Sequence, residues 1–287
     1  MIVIVIERVG PLATIQDLGR PGWFDFGVGP AGAADRASFR LANRLVANPE
    51  EYAGIEVLLG GLVLRADQHV TVAVTGAPAP ATVDGIPVGH ASVLELAAGQ
   101  RLRLGMAPAG LRSYVAVRGG IDVLPVLGSR SHDTLSGIGP ELLRPGDRLP
   151  IGSVPQRLPN VEFAPVTALP VTTRTIRAVL GPRHDWFADA DVLFEGEWAV
   201  SSATDRVGAR LDRRTGPPLE RAISRELPTE GMALGSIQVP PSGQPVVFLA
   251  DHPITGGYPV IAVVLDADVD AVAQARPGQG LRFRRAH

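Results

Sequence analysis

Two residue types are missing from the chain: its 287 residues include no cysteine and no lysine, so all 27 basic residues are arginine. Without cysteine there is no disulfide, no thiolate metal site and no cysteine nucleophile. Without lysine there is no Schiff base, no phosphate-loop lysine and no lysine to carry biotin. Net charge is small too. With 29 acidic residues the formal charge is −2, too balanced for a broad nucleic-acid surface. No apolar run reaches the length of a membrane span, and Met1-Ile-Val-Ile-Val-Ile-Glu7 lacks the basic leader of a signal peptide. The expectation is a cytoplasmic protein with no nucleic-acid or membrane partner.

What is abundant is glycine and proline, 33 and 26 residues, in a chain that is 45% hydrophobic. Such a chain folds, but through short elements and many turns, and reads as mainly β. Residues 1–7 alternate and form a first strand. Gly54–Leu64, His69–Val74, Ser92–Leu96, Arg101–Leu104, Ser113–Val117, Thr173–Leu180 and Leu281–Arg284 read as further strands. Thr82–Val88 is a hairpin, because Asp84-Gly85 suits a type I′ turn with positive φ at both central residues. Apolar spacing predicts a helix over 34–47, stopped by Asn48-Pro49, with Arg36, Arg40 and Arg44 on its solvated face. A shorter helix is expected around Asp268–Ala275. A glycine turn leading into a strand recurs at Ala98, Arg144 and Arg276, and Pro155–Pro170 reads as a linker.

Six histidines are scattered without metal-ligand spacing, so no metal is expected. Ser131-His132-Asp133 has the side chains of a triad, but sequence neighbours diverge in direction. Four polar clusters remain. Gln16, Asp17 and Arg20 form the first; Asp17 and Arg20 either present a site or bridge each other. Arg118-Gly-Gly120 and Gly128-Ser-Arg130 form the second, where a guanidinium fork could receive a carboxylate or phosphate. Asp205-Arg206-Val-Gly208 is the third. The fourth runs through Gln238, Asp251, Thr255 and Tyr258, among glycines that let a ligand approach backbone. Asp251 is the candidate general base or amide N–H acceptor. Gln238, Tyr258 and Thr255 are candidates to orient an amide or ureido group, and Arg118, Arg130 and Arg206 to hold an anion. The alternative for Asp251 and Arg206 is that they anchor loops by hydrogen bonds.

Thr14-Ile-Gln-Asp-Leu-Gly-Arg-Pro-Gly22, the Gly32/Asp35 turn into Ala42-Asn-Arg-Leu-Val46, Gly128-Ser-Arg-Ser131, Asp205-Arg-Val-Gly208, Gly235-Ser-Ile-Gln-Val-Pro240 and Asp251–Tyr258 occur in order along nearly the whole chain. Together they resemble the family variously called the C component of 5-oxoprolinase, allophanate hydrolase subunit 2 or biotin-dependent carboxyltransferase-like protein. The resemblance implies two cyclophilin-like β-barrel domains with a few short helices, and the linker reading of Pro155–Pro170 places them at 1–155 and 156–287. It implies one part of an ATP-dependent 5-oxoprolinase, a hetero-oligomeric hydrolase that opens the 5-oxoproline lactam to glutamate; this chain alone would be inactive. The B component of 5-oxoprolinase, which is allophanate hydrolase subunit 1-like, and the A component would be the partners. ATP with Mg2+ would be the cofactor of the complex. Two other family settings stay open: a carboxyltransferase component acting on a urea-like amide with carboxybiotin from another chain, and a regulatory partner of a kinase inhibitor that is itself of the B-component type.

Overall fold

The computed structural model describes residues 2–286, so Met1 of the expected first strand and His287 lie outside the described residues. The chain forms two compact units. The first is built from residues 2–20, 31–133 and 137–169, and the second from 21–30, 134–136 and 170–286. The Pro155–Pro170 segment thus belongs to the first unit as far as Leu169. It is tied there by Arg118, whose guanidinium donates to the carbonyls of Pro155 (2.7 Å) and Arg157 (2.5 Å).

Strands of the first unit are β1 (Val3–Val9), β2 (Leu12–Gln16), β3 (Gly54–Leu58), β4 (Leu62–Ala66), β5 (Val70–Gly76), β6 (Ala81–Val83), β7 (Ile86–Val88), β8 (Val93–Leu96), β9 (Arg101–Leu104), β10 (Arg112–Val117) and β11 (Arg148–Pro150), with helix α1 at Arg36–Leu45. They make a six-stranded sheet in the order β11-β1-β4-β9-β6-β7 and a five-stranded sheet in the order β2-β3-β10-β5-β8. Alternating residues of both sheets, Ile4, Leu64 and Leu102 from one and Ile15, Val57 and Val115 from the other, share one buried core. The other face of the five-stranded sheet, at Ala73, Tyr114 and Ala116, receives Phe39, Ala42 and Leu45 of α1. Asp35 caps that helix by accepting from the Ser38 N–H at 2.9 Å. Two of the three arginines expected on its solvated face, Arg40 and Arg44, pair with Glu50.

The expected strand Gly54–Leu64 is two strands. Leu59, Gly60 and Gly61 take φ of +60°, +107° and +85°, which breaks the pairing and turns the chain from one sheet to the other. The Asp84-Gly85 hairpin is as expected, with φ of +47° and +86°. The repeated glycine turn also holds at all three places. Gly99, Gly146 and Gly278 have φ of +85°, +99° and +83°. In each, the residue after glycine turns its side chain back onto the N–H three positions earlier: Gln100 to Ala97 (2.8 Å), Asp147 to Arg144 (2.7 Å), Gln279 to Arg276 (3.1 Å). One local solution, a glycine-bearing β-turn with a side-chain return, has been used three times.

The second unit comprises β12 (Arg174–Leu180), β13 (Glu197–Val200), β14 (Gly208–Thr215), β15 (Glu230–Gly231), β16 (Ser236–Gln238), β17 (Val246–Phe248), β18 (Thr255–Gly256), β19 (Val260–Val264) and β20 (Gly280–Arg285), with helix α2 at Asp266–Ala273. Seven of these close a barrel in the order β12-β19-β16-β17-β14-β13-β20, while β15 and β18 form a separate ribbon. The protein is mainly β, as the sequence reads, and α1 and α2 are short.

His90 in the first unit has a buried Nδ1 with no hydrogen-bond partner among the described residues, and burial pushes its pKa below the ordinary 6.5. A depressed pKa means that its neutral form supports the fold above pH 6.5 and that support is lost as pH falls through the folded-state pKa. Lowering the pH from about 7.5 to about 5.5 should therefore cost wild type more thermal stability than His90→Gln. Equal losses in the two proteins would show that His90 does not carry the effect.

Candidate functional site

The four polar clusters of the sequence reduce to two places, one in each unit. In the second unit, the turn Asp205–Gly208 is built by the Asp205 carboxylate, which accepts from the N–H groups of Val207 (2.8 Å) and Gly208 (3.0 Å). This sets Arg206 beside the end of β17, where the chain continues to Asp251. The two side chains form a bidentate pair, Nε to Oδ2 at 2.8 Å and Nη2 to Oδ1 at 2.9 Å, with the side chains 3% and 0% exposed. The Asp251 N–H donates in turn to the Arg206 carbonyl at 3.0 Å. Oδ2 also accepts from the N–H (2.8 Å) and hydroxyl (2.7 Å) of Thr134. The candidate base therefore spends four acceptor contacts on protein groups and holds the 134–136 segment to the second unit. Arg206, a candidate anion holder, spends its fork on Asp251.

Following on from Asp251, the next loop walls a cavity of about 530 Å³, lined by Phe24, Met232, Leu234, His252, Ile254 and Thr255 among others. Thr255 is the one candidate residue of the sequence on its wall. Gln238 stands behind it: Nε2 donates to the Tyr258 carbonyl at 3.1 Å and touches the Met232 sulfur at 3.7 Å. A side chain at Gly256 would put its Cβ 2.5 Å from that same Nε2, so glycine is required there for Gln238 to seat. Tyr258 contributes backbone to Gln238, and its side chain is half exposed. His252 follows Asp251, is buried, and stacks on Phe248 with centroids 6.0 Å apart. Its Nδ1 lies 2.8 Å from the Pro253 carbonyl, which can only accept, so the proton sits on Nδ1. An apolar wall with a few fixed polar groups is the ordinary makeup of a small-molecule site. Sequence reading missed His252, Met232 and Phe24. The available signals were the Asp-His-Pro run and the aromatic cluster Trp23-Phe24-Asp25-Phe26, whose rings at 23 and 26 meet 5.6 Å apart.

In the first unit the first two clusters meet. Asp17 Oδ1 accepts from the hydroxyls of Ser129 (2.7 Å) and Ser131 (2.6 Å) and from the Gly19 N–H (2.7 Å), while Oδ2 accepts from the Arg130 N–H (2.6 Å). Arg20 donates to the Ser131 carbonyl. Asp17 and Arg20 therefore converge on opposite groups of Ser131. Ser131 is taken up by Asp17, and the His132 Nδ1 by the Pro140 carbonyl at 2.8 Å, so Ser131-His132-Asp133 has no triad geometry. Arg118 turns into the first unit, donating to the carbonyls of Val46 (3.0 Å), Pro155 and Arg157. Arg130 lies on the wall of a cleft that Asp17, Gly119 and Gly120 also line. Among the described residues no three histidine, aspartate or glutamate side chains converge in a way that would hold a metal ion, and no helix is long and apolar enough to cross a membrane.

A seven-stranded barrel preceded by a two-sheet unit, with this order of polar loops, defines a class. Residues 26–285 match the family model of the carboxyltransferase domain, subdomains A and B, and the chain belongs to that family. Within it, the chain is 40% identical to the C component of 5-oxoprolinase from Escherichia coli K12, over 98% of this chain and 90% of that protein. Among solved structures it resembles TTHA0988 (TM-score 0.89, 33% identity) and the Kluyveromyces lactis urea carboxylase (TM-score 0.92, 29% identity) over 99% of its length. It spans only 55% of the former chain and 27% of the latter.

Proposed function

We propose that the chain is the C component of an ATP-dependent 5-oxoprolinase and opens the 5-oxoproline lactam to glutamate only together with the A and B components. One observation carries this reading: the C component of the E. coli 5-oxoprolinase matches it nearly end to end in both directions, at 40% identity. The chemistry agrees with a divided site. A lactam carbonyl is a poor electrophile, so its oxygen must first be made a leaving group by phosphorylation, with ATP and Mg2+ supplied at the level of the complex. The cavity walled by Thr255 and His252 offers this chain's polar groups for placing a small amide. Asp251 and Arg206 keep the loop that carries that wall in place.

The second reading is a carboxyltransferase component acting on a urea-like amide, supported by the family model and the urea carboxylase likeness. Carboxybiotin would then come from another chain, since no lysine is present here to bear it. The test is to mix the purified chain with the A and B components, ATP, Mg2+ and 5-oxoproline, and to measure glutamate. Glutamate formation that requires all three chains is expected. Turnover by this chain alone would refute the partner requirement. Biotin-dependent carboxylation of urea without any glutamate formation would favour the second reading.

A further inference from the structure

Apart from the second-unit cavity, the first unit holds a cleft of about 440 Å³, within the size range of small-molecule sites. Its floor and walls are unusually bare of side chains, because Gly19, Gly119, Gly120, Gly128 and Gly152 all line it. Its charged groups are Asp17, Glu51, Asp122 and Arg130. Each has a definable state. Asp17 is buried and its carboxylate is consumed by four donors, two of them the hydroxyls of Ser129 and Ser131. It is a frame that fixes the Gly128–Ser131 loop in place. Arg130 donates through Nε to the Val123 carbonyl (2.7 Å) and through Nη2 to Asp122 Oδ1 (2.7 Å). These two bonds hold the guanidinium plane and leave Nη1 without an acceptor among the described residues. Glu51 makes no ion pair and no side-chain hydrogen bond among the described residues.

The cleft thus offers one oriented guanidinium edge and two exposed carboxylates, one of them unpaired, around backbone that can be approached closely. An anion alone would meet more negative than positive charge here, and a simple cation would leave the Arg130 edge unused. A compact zwitterion satisfies both. We propose that this cleft binds the head group of a free α-amino acid, with the carboxylate on Arg130 Nη1 and the ammonium between Glu51 and Asp122. The choice of glutamate as probe rests on the proposed reaction, of which it is the product; the head-group chemistry does not. The ring-closed 5-oxoproline is the natural contrast, because its nitrogen is an uncharged lactam N–H.

The experiment is titration calorimetry of the isolated full chain with L-glutamate and with 5-oxoproline. Glutamate is expected to bind at one site per chain and 5-oxoproline at least about tenfold more weakly, the usual worth of a charge-assisted contact. Glu51→Gln should weaken glutamate by about tenfold or more at unchanged melting temperature, since Glu51 is exposed and supports no neighbour. Arg130→Lys should weaken it further, and Glu51→Gln keeps the test decisive if that second variant folds poorly. Equal affinity for the two ligands, no binding at millimolar glutamate, or wild-type affinity in Glu51→Gln would each overturn the assignment. A complex that makes glutamate while the isolated chain ignores it sinks this site alone. Glutamate binding with no turnover sinks the 5-oxoprolinase reading alone.

Discussion

Asp251→Asn is expected to lower the stability of the protein by about 3–5 kcal/mol, the usual cost of removing one partner from a buried ion pair. The asparagine fits the space, but Arg206, 3% exposed, loses the bidentate carboxylate that balances its charge. The amide cannot satisfy every donor either. Its NH2 group must face the Arg206 Nη2 at the Oδ1 position, or the Arg206 Nε and both Thr134 donors at the Oδ2 position. At about 2–4 °C per kcal/mol, the melting midpoint should fall by roughly 6–20 °C. Arg206→Met should cost a similar amount. The double variant should cost less than the sum, since removing both charges leaves neither stranded. The opposite pattern decides against the anchoring role: an unchanged midpoint with turnover per folded complex reduced about 10²–10⁴-fold would make Asp251 a catalytic base.

Gly60→Ala should be nearly as damaging, and through backbone rather than charge. Gly60 has φ of +107°, and a Cβ there would lie 2.0 Å from the Gly105 carbonyl oxygen. That is far inside contact distance against an atom that cannot rotate away. Gly10 and Gly61 close in from the other side, where a Cβ on Gly10 would meet the Gly60 carbonyl at 2.1 Å. The strained φ alone costs of order 1–3 kcal/mol, and moving strands apart adds to it. Gly99→Ala is the control. It has φ of +85° but nothing within 4 Å of its Cβ, so it should show only the conformational part. A Gly60→Ala variant that melts with Gly99→Ala would mean that the strands give way easily at this crossing.

Much of the fold was legible because its signals are local. Asp84-Gly85 declares a hairpin on its own, and Ala34–Val46 declares one helix by spacing. The break at Gly60-Gly61 was not legible, because two glycines inside a β-branched run carry no mark of which sheet each half joins. The site divides along the same line. The motif loops were visible, but whether a carboxylate faces substrate or scaffold depends on partners far away in sequence. Asp251 meets Arg206 from 45 positions back and Thr134 from 117. Asp17 meets Ser129 and Ser131 across 112 and 114. The Asp-His-Pro run marked His252, but nothing local to it said that the side chain would stand on a cavity wall.

Closure of the barrel has a kinetic meaning. β20 joins the barrel by pairing in parallel with β12, Arg174 to Leu281, and antiparallel with β13, Trp198 to Leu281. As the chain emerges from the ribosome, β12 and β13 are made early and wait for a strand about a hundred residues downstream. Until it arrives the second unit is a curved sheet with two raw edges, the form most prone to pairing with a neighbour. Loop closure over that span is slow. Expression should therefore be limited by how well these edges are shielded during synthesis, and producing the chain alongside a binding partner or at low temperature should raise the soluble yield more than any change to the finished core.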